Sequence, residues 1–379
     1  MEAIAYLLNP RAPFHLGERG IGIEESANRV HSDTLFSALV SAWRVLGTKL
    51  EPAEWATLRI TSAFPFVEQG VQRVLFFPKP AGGWLDVRTF AEYQRGDKAR
   101  GKAGKKIMLL SRALFQRVAE GQSIIAVLPP AKGDRAADAW HTTLRSDVVA
   151  AQTAQNGRAL MTWQEYTQIA GVFAEQREPG TRRLWIGSDE AGGVVPRVTV
   201  DRISSASSVF FCGAVRFAPG CGLYFAADVP GEMEQKQIEV GLDYLACEGL
   251  GGRRSQGYGQ FEYALLEDWT PPRATNPDDS VITLSLYLPL ASERDVFALP
   301  QTRYDLIQRR GWVFSPDGAS YRRKSVTMLA EGARLARAVT GDIAEVKPEG
   351  TPLPHPVYRY GVAYTVPSRL SALPGKEGA

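Results

Sequence analysis

A glycine-rich run, GLGGRRSQGYGQFEY at 249–263, constrains the fold more than any other part of the sequence. Five glycines fall within eleven residues, between a helix-like and a strand-like pattern. Glycine permits positive φ and close backbone approach, so the run predicts a tight loop. Arg253 and Arg254 lie inside it, and with exposed N–H groups they favour contact with a phosphate backbone. The alternative is a turn needed only for the helix-to-strand return.

The patterns around this loop predict an α+β fold. Apolar residues recur every three or four positions across 32–46, and a second helix is expected at 232–247. Outside residues 78–183, the order to residue 268 is strand, helix, strands, hairpin, helix, strand, which is the βαββαβ ferredoxin-like plan. The expected strands are 6–8, 58–67, 73–77, 184–186, 197–201, 209–217, 223–227 and 259–266.

The length of 379 residues suggests two domains. We expect an N-terminal ferredoxin-like domain at 1–270, with an insertion at about 78–183. A smaller C-terminal RRM-like domain is expected at 280–379, opened by an apolar strand at 281–290. The insertion contains a basic run at 95–106, which we expect to be a mobile loop, together with a helix at 106–119 and a connector rich in Gln and Ala.

Composition excludes several classes of protein. With 44% apolar and 22% charged residues, the chain is neither largely disordered nor a coiled coil. No apolar stretch is long enough to cross a bilayer and the start lacks a signal pattern, so we expect a cytoplasmic protein without a membrane partner. The three cysteines lack CxxC spacing and are expected to be buried thiols in a reducing compartment.

The distribution of charge is more informative than the net charge of +3. Basic residues concentrate in glycine-rich or aromatic segments, which favours a nucleic-acid partner over the alternative of solvated loops. These segments are Arg95–Lys106, Gly251–Ser255, Arg309–Trp312 and Tyr321–Lys324. Residues 96–103 have P-loop spacing but end in Ala103, so they lack the hydroxyl that reaches magnesium, and nucleotide hydrolysis is not expected.

Two motifs could carry RNA chemistry. Residues 256–263 approximate the RNA-recognition pattern of alternating glycines and aromatics, with Tyr258 as a candidate for base stacking. The helix start at residues 31–34 could hold a phosphate once Ser32 or Thr34 turns outward, or could be an ordinary N-cap. The four histidines lack metal spacing, so no metal, cofactor or catalytic residue is expected, although His15 and His31 could form an acid–base pair.

Several segments resemble the RAMP superfamily of type III CRISPR effectors: FHLGERGIGIEESANRVHSDTLFSAL, PRVTVDRISSASSVFF and EGLGGRRSQGYGQFE. More narrowly, RKSVTMLAEGARL (323–335) and HPVYRYG (355–361) resemble the group that caps the 5′ end of the guide RNA in type III-A Csm complexes. The equivalent capping group of Cmr complexes is the near neighbour. The size of the 78–183 segment departs from the family pattern.

The resemblance implies two RRM-like ferredoxin folds in a non-catalytic subunit that binds the 5′ tag of the crRNA. It also implies contacts with the large polymerase-like Csm subunit and the backbone RAMP subunits, and with target RNA through the complex. The alternative is a metal-independent endoribonuclease that processes CRISPR precursor RNA. The RNA-binding residues implied by the family motifs are His15, Arg19, Ser32, Arg197, Arg202, Gly251, Gly252, Arg253, Arg254, Ser255, Gly257, Tyr258, Gly259, Tyr358 and Arg359.

Overall fold

The chain is a mixed α+β protein. The computed structural model describes residues 2–17, 24–48, 57–96, 102–129, 148–176, 182–188, 190, 193–267, 269–313 and 321–370. The α-helices are α1 (Ser32–Val45), α2 (Phe90–Arg95), α3 (Lys102–Lys106), α4 (Arg112–Ala119), α5 (Trp163–Ala174) and α6 (Glu232–Glu248). The strands are β1 (Glu2–Pro10), β2 (Arg59–Ile60), β3 (Phe64–Gln69), β4 (Gln72–Pro78), β5 (Leu85–Thr89), β6 (Leu109–Ser111), β7 (Ile124–Leu128), β8 (Val148–Ala154), β9 (Ala159–Thr162), β10 (Trp185–Ile186), β11 (Val194–Val200), β12 (Ser207–Gly213), β13 (Arg216–Phe217), β14 (Cys221–Val229), β15 (Phe261–Leu265), β16 (Val281–Thr283), β17 (Leu306–Arg309), β18 (Val326–Leu329), β19 (Arg334–Leu335), β20 (Gly341–Glu345), β21 (Tyr358–Val362) and β22 (Thr365–Pro367).

Four antiparallel strands form one end of the main sheet, in the order β15–β1–β14–β3. Helices α1 and α6 follow β1 and β14 along the chain. This order and these directions are those of a βαββαβ unit. The topology expected for the part of the chain before residue 270 is therefore present, and the short strand β2 adds a further pairing to β14.

Both faces of β1 are covered, which explains its almost continuous apolar sequence. Ile4, Tyr6 and Leu8 pack with residues of α1 and α6 on one face. Ala5 and Leu7 belong to a second core on the opposite face, which also contains residues from the C-terminal part of the chain. The sheet therefore joins the N-terminal helices to the C-terminal region.

The described strands of the segment predicted as an insertion, residues 78–183, extend the main sheet of the N-terminal part. Strand β4 pairs with β6, and the sheet continues through β9, β8 and β7 to β5. The expected helix at 106–119 begins only at Arg112, because the buried Leu109 and Leu110 lie in a strand between β4 and β9. The expected Gln- and Ala-rich connector is largely strand β8, whose small residues are mostly buried between its neighbours.

The basic run at 95–106 is only partly described. Residues 97–101 lie outside the described residues, so the expectation of a mobile loop stays untested there. Lys102–Lys106 form the short helix α3, and the carbonyl of Gly104 accepts a hydrogen bond from Lys79 Nζ at 3.3 Å. This portion packs against β5, and the mobility predicted for the run stays a prediction.

The described residues of the C-terminal region do not show the expected RRM-like pattern. In residues 269–313 and 321–370 the described elements are short antiparallel ribbons and a 3₁₀ helix at Ala291–Ala298, without an α-helix. The expected strand at 281–290 leaves its sheet after Thr283, because its successive N–H groups bond to different partners. Leu284 donates to Tyr364, whereas Tyr287 donates to Leu329. Apolar alternation alone could not show these changes of partner.

Two further features concern the cysteines and the helices. Cys212 and Cys221 are buried, as expected, but Cys247 is exposed on α6. Among the described residues, no helix is both long and apolar enough to cross a membrane.

Candidate nucleic-acid interface

The glycine-rich loop packs against the first loop of the chain, which follows β1 and contains Pro13 and His15. Gly252 N–H donates to the His15 carbonyl at 2.8 Å, and Gly259 N–H donates to the Pro13 carbonyl at 2.8 Å. A Cβ at Gly251 would lie 2.7 Å from the His15 oxygen, and one at Gly259 would lie 2.2 Å from the Leu250 oxygen. Close packing within the protein therefore requires these glycines.

This geometry corrects the expectation that the glycine N–H groups wrap a phosphate backbone. The N–H groups of Gly252, Gly257 and Gly259 all donate to carbonyls of the chain itself. Gly257 differs from the others, because a Cβ there would meet nothing within 4 Å. Ser255, beside it, is exposed in a single 3₁₀ turn, Arg254–Gln256.

His15 lies at the junction of three segments. Its Nδ1 is 2.8 Å from the carbonyl oxygen of Gly213 at the end of β12. Its ring also abuts Gly252, where an added Cβ would lie 2.9 Å from Cδ2. The first loop, the glycine-rich loop and the β11–β12 hairpin therefore meet at this imidazole. Arg19, expected beside it, lies outside the described residues.

Tyr258 is not an exposed stacking surface in the structure. Its side chain is only 4% exposed, and Arg197 Nη2 donates to its hydroxyl oxygen at 3.1 Å. The Arg197 guanidinium lies 6.0 Å from the centre of the ring. The stacking prediction for Tyr258 is wrong for this conformation because Arg197 and the loop cover the ring.

The remaining predicted arginines of the hairpin and loop point in different directions. Arg197 and Arg202 are exposed on the β11–β12 hairpin. Arg253 lies over Phe210 of the same hairpin, with its guanidinium 5.5 Å from the ring centre. Arg254 instead lines a cleft on the other side of the loop. Arg253 therefore contacts the hairpin, whereas the adjacent Arg254 faces the cleft.

A buried ion-pair network connects the start of α1 to the C-terminal region. Arg309 makes a bidentate contact with Asp33, with Nε and Nη2 each 3.0 Å from a carboxylate oxygen. Arg359 Nη1 donates to the same carboxylate. Burial alone would raise the pKa of Asp33, but the two guanidinium groups hold it well below its ordinary value.

A second buried cluster lies beside this network. His31 Nδ1 is 2.6 Å from Glu331 Oε1, and the Ser62 hydroxyl donates to the same oxygen. Burial opposes ionisation of Glu331, yet His31, Arg29 and these hydrogen bonds lower its pKa to about 2. The two clusters connect the start of α1 to Arg309 and Glu331, which are 276 and 300 residues away in sequence.

Two of the predicted RNA-binding side chains, Ser32 and Arg359, instead connect α1 to the C-terminal region. Ser32 is fully buried, and its hydroxyl oxygen accepts a hydrogen bond from Leu286 N–H at 3.0 Å. Arg359 is 3% exposed and pairs with Asp33. The prediction that these side chains face RNA is wrong for Ser32, whereas Arg359 also lines a neighbouring cleft. Tyr358 is half-buried and packs with the core around α1.

The two buried clusters and the glycine-rich loop border a cleft of about 650 Å³. Its walls carry seven arginines and two histidines, and Glu25 is the acidic residue among them. The arginines are Arg29, Arg254, Arg309, Arg310, Arg322, Arg323 and Arg359. Asp33, Glu331 and Glu248 compensate only part of this charge, so the cleft is strongly positive.

Arg323 shows how the positive charge of the cleft affects a single side chain. Burial, and after it the positive charge of Arg359, lower its pKa to about 10. The side chain still carries its charge at neutral pH. Its Nε is buried without a hydrogen-bond partner among the described residues. An anion in the cleft would relieve both effects.

Sequence reasoning missed several residues of this cleft. The runs Arg309–Trp312 and Tyr321–Lys324 were singled out for their charge, but no individual role followed from them. Only the tertiary fold brings them beside the glycine-rich loop. Arg29 carries no local signal, since it lies in a polar loop before α1.

Comparison with known proteins agrees with the sequence resemblance. A family model described as the CRISPR Csm4 C-terminal domain matches residues 276–368. The "CRISPR system Cms protein Csm4" of Thermococcus onnurineus (strain NA1) is 30% identical over 170 residues, 45% of this chain and 52% of that protein. The protein of the same name from Mycobacterium tuberculosis (strain ATCC 25618 / H37Rv) is 26% identical over 356 residues, 91% of each chain.

Among solved structures, a crystal structure of a Csm3–Csm4 subcomplex in the type III-A CRISPR-Cas interference complex has a similar fold. The TM-score is 0.57 at 17% identity, over 96% of this chain and 99% of that chain. The solved structure shows a shared fold, and the sequence matches are to proteins of type III CRISPR systems. More narrowly, they identify the chain as Csm4-like. The chain spans about half the length of the first two curated relatives that it matches, 52% and 56%.

Proposed function

We propose that the chain is the crRNA-binding structural subunit of a type III-A effector complex and holds the 5′ tag of the guide RNA in its arginine-lined cleft. The observation that carries this proposal is the convergence of seven arginines on one cleft beside the glycine-rich loop. The similarity to proteins named Csm4 supports the assignment to this complex.

The chemistry of the cleft suits a single-stranded polyanion. Guanidinium groups donate in a planar fork that matches phosphate oxygens, and they remain charged at all physiological pH values. A cleft of about 650 Å³ is in the size range of sites that bury one small ligand, so it would hold a short piece of strand. The rest of the guide would then run over the exposed Arg197 and Arg202 of the hairpin.

The proposed protein partners are those suggested by similar proteins. The similar solved structure contains Csm3 beside Csm4, so we propose that this chain contacts a backbone RAMP subunit of that kind. The large polymerase-like subunit is proposed as a second partner on the basis of the sequence resemblance. Target RNA would reach the chain only through the assembled complex.

Guide affinity measured against salt concentration tests the RNA-binding role. Arg254→Ala combined with Arg310→Ala should weaken binding of a single-stranded RNA that carries the 5′ tag. Each lost phosphate contact should also reduce the slope of log affinity against log salt by about 0.7. Both side chains line the cleft, and no ion pair with the buried Asp33 depends on them.

Arg337→Ala is the matched control. This arginine is half-buried, pairs with the exposed Asp295 and lies outside the cleft. It should leave affinity and slope unchanged. An unchanged salt slope in the Arg254/Arg310 double variant would overturn the proposed RNA-binding role of the cleft.

One observation favours a second function, metal-independent RNA cleavage. His15 and His31 both line the cleft, and two imidazoles can act as base and acid in attack by a 2′-hydroxyl. Against this role, Nδ1 of each ring already contacts an oxygen of the protein. We expect no product from a repeat-containing RNA with or without magnesium; product that disappears in His15→Ala would support the nuclease function.

A further inference from the structure

We propose that Trp312 is a stacking platform for one unpaired nucleobase at the mouth of the arginine-lined cleft. This inference rests on the RNA-binding function proposed above and specifies which part of the ligand is recognised by contact with a ring. Nearby arginines would hold the flanking phosphates, so that Trp312 contributes the base contact and the guanidinium groups contribute the charge.

Trp312 lies on a β-ribbon that continues beyond β17 and β18. Arg323 N–H donates to the Gly311 carbonyl at 2.9 Å, and Val313 N–H donates to the Tyr321 carbonyl at 2.8 Å. Trp312 and Arg322 are directly paired between these bonds. Directly opposed residues of an antiparallel pair project from the same face, so the Arg322 guanidinium can lie over the Trp312 ring.

The ring is exposed although the ribbon has a core-facing side. Val313, the next residue, is buried in a small core with Val346 and Leu353. Trp312 is 49% exposed on the opposite face, whereas Trp43, Trp84, Trp185 and Trp269 are each at most 6% exposed. Core packing therefore does not account for a tryptophan at this position.

The surroundings of the ring match a nucleotide better than an apolar partner. The Arg322 guanidinium lies 5.0 Å from the ring centre, in the range of a cation–π contact that holds the ring in place. Arg310 and Arg323 line the cleft with the same ribbon, and the buried Nε of Arg323 is without a hydrogen-bond partner among the described residues. A base stacked on indole places its phosphates within the reach of such side chains.

A cycle that combines protein variants with abasic RNA tests the inference. The full chain is titrated with a labelled single-stranded RNA that carries the 5′ tag, and one nucleotide at a time is replaced by an abasic site. Trp312→Ala should weaken binding about tenfold with an unchanged salt slope, whereas Trp312→Phe should retain most of the affinity. One abasic position should cost the wild type a similar factor and cost Trp312→Ala nothing.

Tyr304→Ala is the matched control, because Tyr304 is another aromatic residue of the C-terminal region, 40% exposed and outside the cleft. It should bind every RNA like the wild type. The abasic scan of the wild type can be interpreted even if a variant folds poorly: a scan without a single costly position overturns the inference.

The outcomes also separate this inference from the function on which it rests. Identical abasic profiles for wild type and Trp312→Ala would overturn the stacking role. If the Arg254/Arg310 double variant still lost affinity and salt slope, the RNA-binding cleft would stand without it. If neither set of variants changed binding, both proposals would fall. A Trp312→Ala chain that binds RNA normally but loses a protein subunit would make this face a protein interface.

Discussion

Replacing Glu331 by glutamine tests how the two parts of the chain are held together. Its carboxylate lies in the buried cluster with His31 and Ser62, and its pKa falls from 4.5 to about 2. At about 1.36 kcal/mol per pKa unit, this difference favours the ionised form in the folded state by about 3 kcal/mol. Glutamine has nearly the same shape without the charge, so Glu331→Gln should lower the free energy of unfolding by about that amount at pH 7.

The sign of the pH dependence follows from the direction of the shift. Because the folded-state pKa lies below the unfolded value, the stabilisation is complete above about pH 4.5 and is lost as the pH falls toward 2. The difference between wild type and Glu331→Gln should therefore shrink from about 3 kcal/mol at pH 7 to roughly half of that at pH 3.

Urea unfolding followed by circular dichroism at several pH values measures this difference. Glu262→Gln is the control, because this exposed carboxylate pairs with the exposed Arg11 and should give no measurable change. A stability difference for Glu331→Gln that stays constant from pH 7 to pH 3, or a difference no larger than that of the control, would refute the reasoning.

Two further predictions concern the glycine-rich loop and the ion-pair network. Gly259→Ala should lower the free energy of unfolding by about 3 kcal/mol, because the added Cβ would lie 2.2 Å from the Leu250 oxygen at a φ of +81°. Gly257→Ala should cost only about 1 kcal/mol, since it has a similar φ and open space; equal costs in urea unfolding would contradict this assignment. Asp33→Ala should cost about 3–5 kcal/mol, because it leaves Arg309 and Arg359 without their counter-charge. Thermal and urea unfolding measure that cost, and a loss below about 1 kcal/mol would contradict the role of the network.

The sequence predicted the helices whose buried residues recur every three or four positions. The apolar spacing across 32–46 predicted α1, and the pattern at 232–247 predicted α6, each to within about two residues of its observed bounds. The order of these elements was enough to predict the βαββαβ arrangement of β15, β1, β14 and β3.

Elements that depend on distant partners were not predictable in the same way. Strand β8 has small residues and no distinct alternation, and it exists because β7 and β9 lie on either side of it. The C-terminal region was expected to repeat the first topology, but its apolar run from Val281 changes partners several times. Single-sequence patterns contain no information about those partners.

The same limit applies to the candidate site. Composition identified the glycine-rich loop and the basic runs, and the fold brings Arg254 of that loop to the same cleft as Arg310 and Arg322. The burial of Ser32 could not be foreseen, because its partner Leu286 is 254 positions away in sequence. Tyr258 matched an RNA-recognition pattern, yet Arg197 from a separate hairpin covers its ring.

Photo-crosslinking of the guide to the full chain tests directly whether the 5′ tag binds in the arginine-lined cleft. A single-stranded RNA with 4-thiouridine placed in its 5′ tag is irradiated with the protein, and the crosslinked peptides are mapped by mass spectrometry. We expect crosslinks to the ribbon around Trp312 and Arg322 and to the glycine-rich loop at 249–259, which border the same cleft. Crosslinks confined to the far edge of the main sheet at β5 and β7, with none at the cleft, would contradict this expectation.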